Sequence, residues 1–334
     1  MKSFTVPSSS DNMHVVKAAS LAFPGLRAAD LYKALKHKDI RVDGKRISSD
    51  IAVFSGQEIQ VWLPDELFDG SGDAVAVPAD PDYKIVAETD GLLLVNKRQG
   101  LAVHSGRNTG DNNLIDIVRA STGNPRMELV HRIDMNTGGI LMLAKSKESL
   151  EDAIVLFRND LLIKRYRCLV LGVPSEGETV ICEDDAIMKE VSAFLEKTPS
   201  GFVYVHDIEK PGDLPITTRY RVLEVFKGAG PDGMDVSEIE CELVTGRTHQ
   251  IRAQFAHLGH PILGDGNYGR NKINTFFKSR NGGKVRYQQL FSTSLIMRKI
   301  PSDNMHHVLS GRRFEIIPRY EIELDDLRKR KNGR

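Results

Sequence analysis

Residues 64–82, PDELFDGSGDAVAVPADPD, carry six acids, three prolines and no base, with little apolar pattern beyond AVAV. Such a stretch buries too little apolar surface to join a packed core, so the chain on either side must fold around separate cores. The length of 334 residues agrees, since one domain takes roughly 100–200 residues. The expected organisation is a small module over 1–63, an acidic Pro/Gly linker over 64–82, a large domain over 83–325 and a basic tail over 326–334.

In the small module, residues 15–35 carry apolar side chains at helical spacing, and Asp30 is placed to cap the second part. IRVDG follows as a short strand and turn. In EIQVWL, Ile59, Val61 and Leu63 alternate with Glu58, Gln60 and Trp62, the period of a half-buried strand. After the linker, YKIVAE and LLLVNK flank an Asp-Gly turn and predict a hairpin. DNNLIDIVRAS and SKESLEDAIVLFRND have helical spacing. LIKRYRCLVLG, ITTRYRVLEVF and SEIECELVTG are strand-like, and THQIRAQFAHLG is a helix beginning near Thr248 and stopped by Gly259. Strands and helices do not alternate regularly, which disfavours a doubly wound parallel sheet. The expected class is α+β: a mixed, mainly antiparallel sheet with flanking helices, preceded by a small α/β module.

Composition bounds the function classes. No apolar run is long enough for a membrane span, and MKSFTVPSSSDNMH lacks the apolar segment of a secretory signal, so a cytoplasmic protein is expected. Three widely spaced cysteines, Cys168, Cys182 and Cys241, give neither a disulfide framework nor a CxxC metal site. Net charge is +1, yet Leu31–Arg46 holds six Lys/Arg against two Asp. Taken alone, that run fits a solvated helix face and a nucleic-acid contact equally well.

Three stretches carry residues suited to chemistry. In HRIDMNTGGILMLAKS, Asp134 precedes a glycine pair and the apolar run Ile140–Ala144. An aspartate there sits on a turn at a strand end, and on this stretch alone an Asx turn accounts for it. In KRYRCLVLG, Lys164, Arg165 and Arg167 surround Tyr166. Cations around a ring can hold phosphates while the ring stacks a base, though a strand tyrosine among solvated charges reads the same way. In TGRTHQIRAQFAHLGHPILGDGNYG, Arg247, His249 and Arg252 lie close together, and His249 and Arg252 share a helix face. The histidines 249, 257 and 260 with Asp265 raise a metal site, but no HExxH register exists and the arginines would repel a cation.

These stretches together resemble one family. HRIDMNTGG is similar to the HRLDxxTSG signature of RluA-type pseudouridine synthases, KRYRCLVLG to their K-x-Y-x-A-x-V-x-G strand, and TGRTHQIR…LGHPILGD…YG to their third motif. LLLVNKRQGLAVHSG and ITTRYRVLE resemble two further stretches. The matches run in the family's order from Tyr83 to beyond Tyr268. DIRVDGKRISSDIAVFSGQEIQV resembles the small S-four-type RNA-binding domain shared by a ribosomal protein and many of these synthases. Departures are Gly138 for the serine of TSG, Arg98 for a proline, Cys168 for an alanine, and LFSTSL (Leu290–Leu295) for a Leu-His-Ala stretch.

The resemblance implies isomerisation of uridine in RNA to pseudouridine without metal or other cofactor. It casts Asp134 as the nucleophile or stabiliser of the departing sugar, Arg252 as its ion-pair partner and Tyr166 as the ring that packs against the base and helps remove its carbon-5 proton. One carboxylate suffices for such a role, unlike the pair of a glycosidase. Arg132 would fill the space a flipped base leaves, and Arg247, Lys164 and Arg165 would hold phosphates. Lys36, Lys38, Arg41, Lys45 and Arg46 would add RNA contact from the small module. The expected substrate is large-subunit ribosomal RNA, with transfer RNA as the alternative and a monomer as the working form. A non-catalytic RNA-binding or assembly protein on the same scaffold is the competing reading, opposed by intact Asp134, Tyr166 and Arg252.

Overall fold

The computed structural model describes residues 1–26, 28–68, 81–105, 113–199, 201–283 and 285–329. The chain divides into two compact units, Met1–Ala79 and Asp80–Arg334.

The first unit has a four-stranded antiparallel sheet ordered Lys2–Thr5, Glu58–Val61, Ile40–Val42, Lys45–Ile47, with helices Val15–Ala22 and Ala28–His37. The Ile40–Ile47 hairpin closes through Asp43 and Gly44, both at positive φ (48° and 75°), the turn whose twist matches paired strands. Ile59 and Val61 are fully buried and Trp62 is exposed, as their alternation requires. Asp30 is not the residue that precedes its helix. The helix begins at Ala28, so Asp30 lies in the first turn, where its charge suits the positive helix end. The expected linker falls largely outside the described residues. Its start, Asp65–Phe68, is a helical turn that belongs to this unit: Phe68 is buried and meets the Phe23 ring edge-on at 5.1 Å.

The second unit is built on one large sheet. Its principal strands are β1 (Tyr83–Glu88), β2 (Leu92–Lys97), β3 (Gly138–Ala144), β4 (Leu162–Leu171), β5 (Glu178–Ile181), β6 (Ile187–Lys197), β7 (Leu214–Phe226), β8 (Val236–Leu243) and β9 (Leu290–Met297). They lie in the order β5-β6-β7-β8-β4-β9-β3-β2-β1. Neighbours pair antiparallel except β3 and β9, which run parallel through Gly138–Phe291 and Gly139–Ser292. The helices are α1 (Leu114–Thr122), α2 (Lys147–Arg158), α3 (Gln250–His257), α4 (Asn271–Arg280) and α5 (Leu324–Lys329). Asn113 and Ser146 cap α1 and α2 through their side-chain oxygens. Gly259, at φ 87°, follows the end of α3.

The fold is thus α+β with a mixed, mainly antiparallel sheet. One core lies under α1 and α3: Leu141 and Leu143 of β3, Cys168 and Val170 of β4, and Ile239 and Cys241 of β8 meet Leu114, Ile251 and Phe255. Because strand residues alternate faces, β4 also presents Leu169 and Leu171 to a second cluster with Phe277 and Leu327. Leu327 is 1% exposed, so the packed unit continues through α5, beyond the boundary expected at 325. The expected basic tail begins inside this helix, and residues 330–334 lie outside the described residues.

Candidate active site

Asp134 stands on a turn leading into β3, closed by the Thr137 N–H donating to the Asp134 carbonyl at 3.0 Å. The turn is held from several sides. The buried Lys97 ammonium, at the end of β2, donates to the carbonyls of Met135 (2.9 Å), Leu101 (2.8 Å) and Arg98 (3.0 Å). Gln99 donates to the Asn136 carbonyl at 2.9 Å, and Gln288 to the Thr137 hydroxyl at 3.1 Å. Upstream, His131 Nε2 accepts the Met142 N–H at 3.1 Å, which requires a neutral ring. Burial and the nearby Lys164 pull that imidazole down to about 3.

Two glycines let β3 approach β9. Gly139 has φ 112°, and a Cβ there would lie 2.2 Å from the Ser292 carbonyl oxygen. A Cβ on Gly138 would meet the Phe291 ring at 2.6 Å. Two departures from the family pattern, Gly138 and the LFSTSL stretch, are therefore one packing arrangement: the missing side chain at 138 makes room for the ring at 291.

Arg252, on α3, lies between two carboxylates. Its NH1 donates to Asp134 Oδ2 at 2.8 Å. Its Nε and NH2 donate to Asp265 Oδ2 and Oδ1 at 2.7 and 3.0 Å. Asp265 is 1% exposed, and its Oδ1 also accepts the N–H groups of Asn267 and Tyr268. Burial opposes the Arg252 charge, but Asp265 and then Asp134 hold the guanidinium above its ordinary value. Burial works against the Asp265 charge as well, and the bonds from Arg252 outweigh it, so the carboxyl lies below its ordinary range. The Arg252 guanidinium also stacks 5.2 Å from the Tyr268 ring centre.

His249 precedes α3 in the left-handed region, φ 55°. Its Nδ1 lies 2.8 Å from the Tyr268 hydroxyl and its Nε2 3.8 Å from Asp134 Oδ2.

Asp134, Arg252 and His249 line a cavity of about 440 Å³ with Tyr166, Arg132 and Arg247, a size within the range of small-ligand sites. Tyr166 is nearly buried, and burial pushes its phenol up to about 12, so it is protonated at neutral pH. Lys164, two residues earlier on the same face of β4, lines the cavity too, its ammonium 5.6 Å from the Phe157 ring centre.

Arg165 is a correction. It is fully buried on the opposite face of β4, donating to both oxygens of Asp184 (2.6 and 2.7 Å) and to Glu242 (2.8 Å). Glu242 continues to Arg219 and Arg219 to Glu190, an ion ladder across β4, β8, β7 and β6. No surface of Arg165 is left for a phosphate. The other basic candidates are accessible: Arg132 and Arg247 are exposed, and in the first unit so are Lys36, Lys38, Lys45 and Arg46. Arg41 is half-buried with its guanidinium 5.0 Å from the Trp62 ring.

The four groups raised as metal ligands are engaged separately. His257 bonds to Asp207 and His260 to the Leu171 carbonyl, while Asp265 is taken by Arg252. Asp265, Lys97 and Gln99 were not expected as supports of Asp134. The one usable signal was the arginine itself, which needs an acid partner when buried.

The RNA pseudouridylate synthase family model matches residues 91–257, which span the Asp134 turn, Tyr166 and Arg252. The chain is 32% identical over 254 residues to ribosomal large subunit pseudouridine synthase C of Vibrio cholerae, covering 74% of this chain and 73% of that one. It is 29% identical over 270 residues to ribosomal large subunit pseudouridine synthase D of Nitrosomonas europaea, covering 80% and 72%. Among solved structures, human RNA pseudouridylate synthase domain containing 1 is similar at 21% identity, with a TM-score of 0.49 over 74% of this chain and 94% of that one. The chain belongs to the RluA-type family of RNA pseudouridine synthases, isomerases that convert uridine in RNA to pseudouridine.

Proposed function

We propose that this enzyme isomerises a uridine of large-subunit ribosomal RNA, with Asp134 as the reacting carboxylate, Arg252 as its partner and Tyr166 as the platform for the base. The observation that carries this reading is the junction of the three around one cavity, with Arg252 2.8 Å from one Asp134 oxygen. In the reaction the bond from uracil nitrogen-1 to the ribose breaks, the base turns, carbon-5 joins the ribose, and its proton is exchanged for one on nitrogen-1. Atoms balance without a co-reactant. Arg252 offsets the charge that Asp134 brings to the cavity and fixes its direction, a task for which a planar fork suits better than an ammonium. The phenol of Tyr166, held protonated by burial, offers the base a stacking surface and a hydrogen-bond donor. Stacking contributes roughly 1–3 kcal/mol per base.

A paired uridine must leave its stack, at a cost of a few kcal/mol. Arg132, exposed beside Asp134 on the turn, fills the gap, and Arg247 and Lys164 hold flanking phosphates. Residues 1–68 form an RNA-binding module of the S-four type, with Lys36, Lys38, Arg41, Lys45 and Arg46 on its contact face. The basic hairpin around Asp43-Gly44 supports that reading, as does the Arg41–Trp62 stack. Residues 83–329 are the catalytic domain, α5 being packed into it. The large-subunit assignment leans on the relatives from Vibrio cholerae and Nitrosomonas europaea. The enzyme works as a cytoplasmic monomer.

Tritium release from RNA labelled at uracil carbon-5 tests this, with ribosomal and transfer RNA offered separately to wild type and Asp134→Asn. Release from ribosomal RNA that Asp134→Asn abolishes is the expected result. Release by Asp134→Asn at the wild-type rate would remove Asp134 from its role, and release from transfer RNA alone would overturn the substrate assignment.

A further inference from the structure

The reacting carboxylate has two oxygens in different surroundings. Oδ2 receives Arg252 and faces His249 Nε2. Oδ1 accepts no hydrogen bond from the described residues. What His249 does there depends on which of its nitrogens carries the proton, and Tyr268 decides that. The Tyr268 hydroxyl accepts the Val203 N–H at 3.1 Å. Its own proton is best used by donating to His249 Nδ1, 2.8 Å away. A neutral ring that accepts at Nδ1 carries its proton on Nε2, the nitrogen turned to Asp134. Tyr268 is itself fixed, its ring 4.6 Å from that of Phe202 and its N–H bonded to Asp265.

Resting on Asp134 as the reacting group, we propose that His249, with its tautomer set by Tyr268, is a positioning residue: its Nε2–H and Arg252 together occupy Asp134 Oδ2 and leave Oδ1 as the oxygen that meets the substrate. The 3.8 Å separation is longer than a hydrogen bond, and contacts of this kind commonly tighten when substrate closes the site. The backbone supports a dedicated role. A residue other than glycine at φ 55° is strained, and the strain is spent where it brings this ring over Asp134.

The groups facing the ring are Asp134, Arg252, Asp265, Arg132 and the Tyr268 hydroxyl. Burial pulls the imidazole below its ordinary value; Arg252 and Arg132 work with burial, and the two aspartates against it. The ring is therefore neutral at neutral pH. Protonation in acid would put donors on both nitrogens and turn the Tyr268 hydroxyl round. It would also place a second positive charge on an oxygen that Arg252 already neutralises.

The experiment compares wild type, His249→Asn, Tyr268→Phe and Asp134→Asn in single-turnover tritium release between pH 5 and 8, with RNA affinity and thermal unfolding measured alongside. Asparagine tolerates the left-handed backbone, so His249→Asn removes the ring without adding strain, yet it is too short to span Tyr268 and Asp134. The expected result is a fall of about 10- to 100-fold in the maximal rate, the size of a misplaced reacting group, with RNA affinity and unfolding temperature unchanged. Tyr268→Phe removes the donor that favours the neutral ring, so the acid limb of its rate profile moves to higher pH. A loss confined to RNA affinity would make His249 a substrate contact instead. An equal loss at every pH, with the acid limb of Tyr268→Phe unmoved, would reduce the pair to scaffolding. Either overturns the proposal while Asp134→Asn remains inactive; activity in Asp134→Asn would overturn the reading beneath it, and the proposal with it.

Discussion

Asp265→Asn is the sharpest perturbation of the machinery behind Asp134. The wild-type carboxylate takes four N–H groups, Nε and NH2 of Arg252 and the amides of Asn267 and Tyr268, three of them on Oδ1. An asparagine has one oxygen. If it stays at the Oδ1 position, its amide nitrogen faces Arg252 Nε–H across 2.7 Å, donor against donor. If it flips, the two backbone N–H groups lose their acceptor. Removing one member of a buried ion pair costs about 3–5 kcal/mol, and the low end applies because Arg252 keeps Asp134. At about 3 kcal/mol, a unit of this size should melt roughly 6–12 °C lower. The maximal rate should fall by about 10- to 100-fold as the guanidinium drifts from its aim on Asp134. The pH dependence follows from the lowered carboxyl of Asp265. Its contribution is present above the unfolded value near pH 4 and is lost as pH falls through the lower folded value. The stability gap between wild type and variant is then constant from about pH 5 upward and closes in stronger acid. Urea unfolding across pH 3–8 and single-turnover tritium release measure both effects. A variant that melts within about 1 °C of wild type and turns over normally would refute the idea that Asp265 holds Arg252 in place.

Lys97→Met should lower the maximal rate by freeing the Met135 carbonyl. Wild type should also gain stability relative to the variant between about pH 7 and 10.5, because burial, aided by Arg98, pulls the ammonium down to about 7 while the unfolded chain keeps its proton to about 10.5; urea midpoints at pH 6.5 and 9.5 check the sign. Arg165→Ala should cost about 3 kcal/mol of stability, the low end for a broken buried pair, because Asp184 loses its two-pronged partner while Glu242 keeps Arg219, yet leave the salt dependence of RNA binding unchanged, whereas Arg247→Ala should reduce that dependence. Gly138→Ser should cost about 1–3 kcal/mol by driving a Cβ into the Phe291 ring. Phe291→Ala in the same chain should recover part of it, and a double-mutant cycle on the unfolding midpoints gives the coupling.

What the sequence disclosed, and what it withheld, divides along physical lines. Strands bounded by turn residues were legible because both signals are local: Glu58–Val61 lies where its period-two alternation put it, and the β1–β2 hairpin where its Asp-Gly turn did. The second core escaped notice because β4 is buried on both faces, and a strand so placed loses the alternation that shows which side it covers. Alternation did hold an answer that was not drawn from it. Lys164 and Tyr166 are two apart and share the cavity face, which puts Arg165 on the other side, away from any RNA. Asp134, Tyr166 and Arg252 were found through a resemblance spanning three motifs, since no local rule brings residues 118 positions apart to 2.8 Å.

The supports of Asp134 were hidden for a different reason. Lys97, His249 and Asp265 are polar groups whose burial becomes tolerable only when partners satisfy them: three backbone carbonyls for Lys97, the Tyr268 hydroxyl for His249, and Arg252 with two amides for Asp265. The departures from the family pattern show the same limit from the other side. Read singly, Gly138 and Phe291 look like two weakened motifs. In the fold a ring fills the space that a missing side chain leaves, 2.6 Å from where a Cβ would stand, so the turn carrying Asp134 is packed by exchange of bulk across β3 and β9. A departure at one position of such a site is interpretable only with the residue that faces it, and that residue is chosen by the sheet's register rather than by its place in a motif.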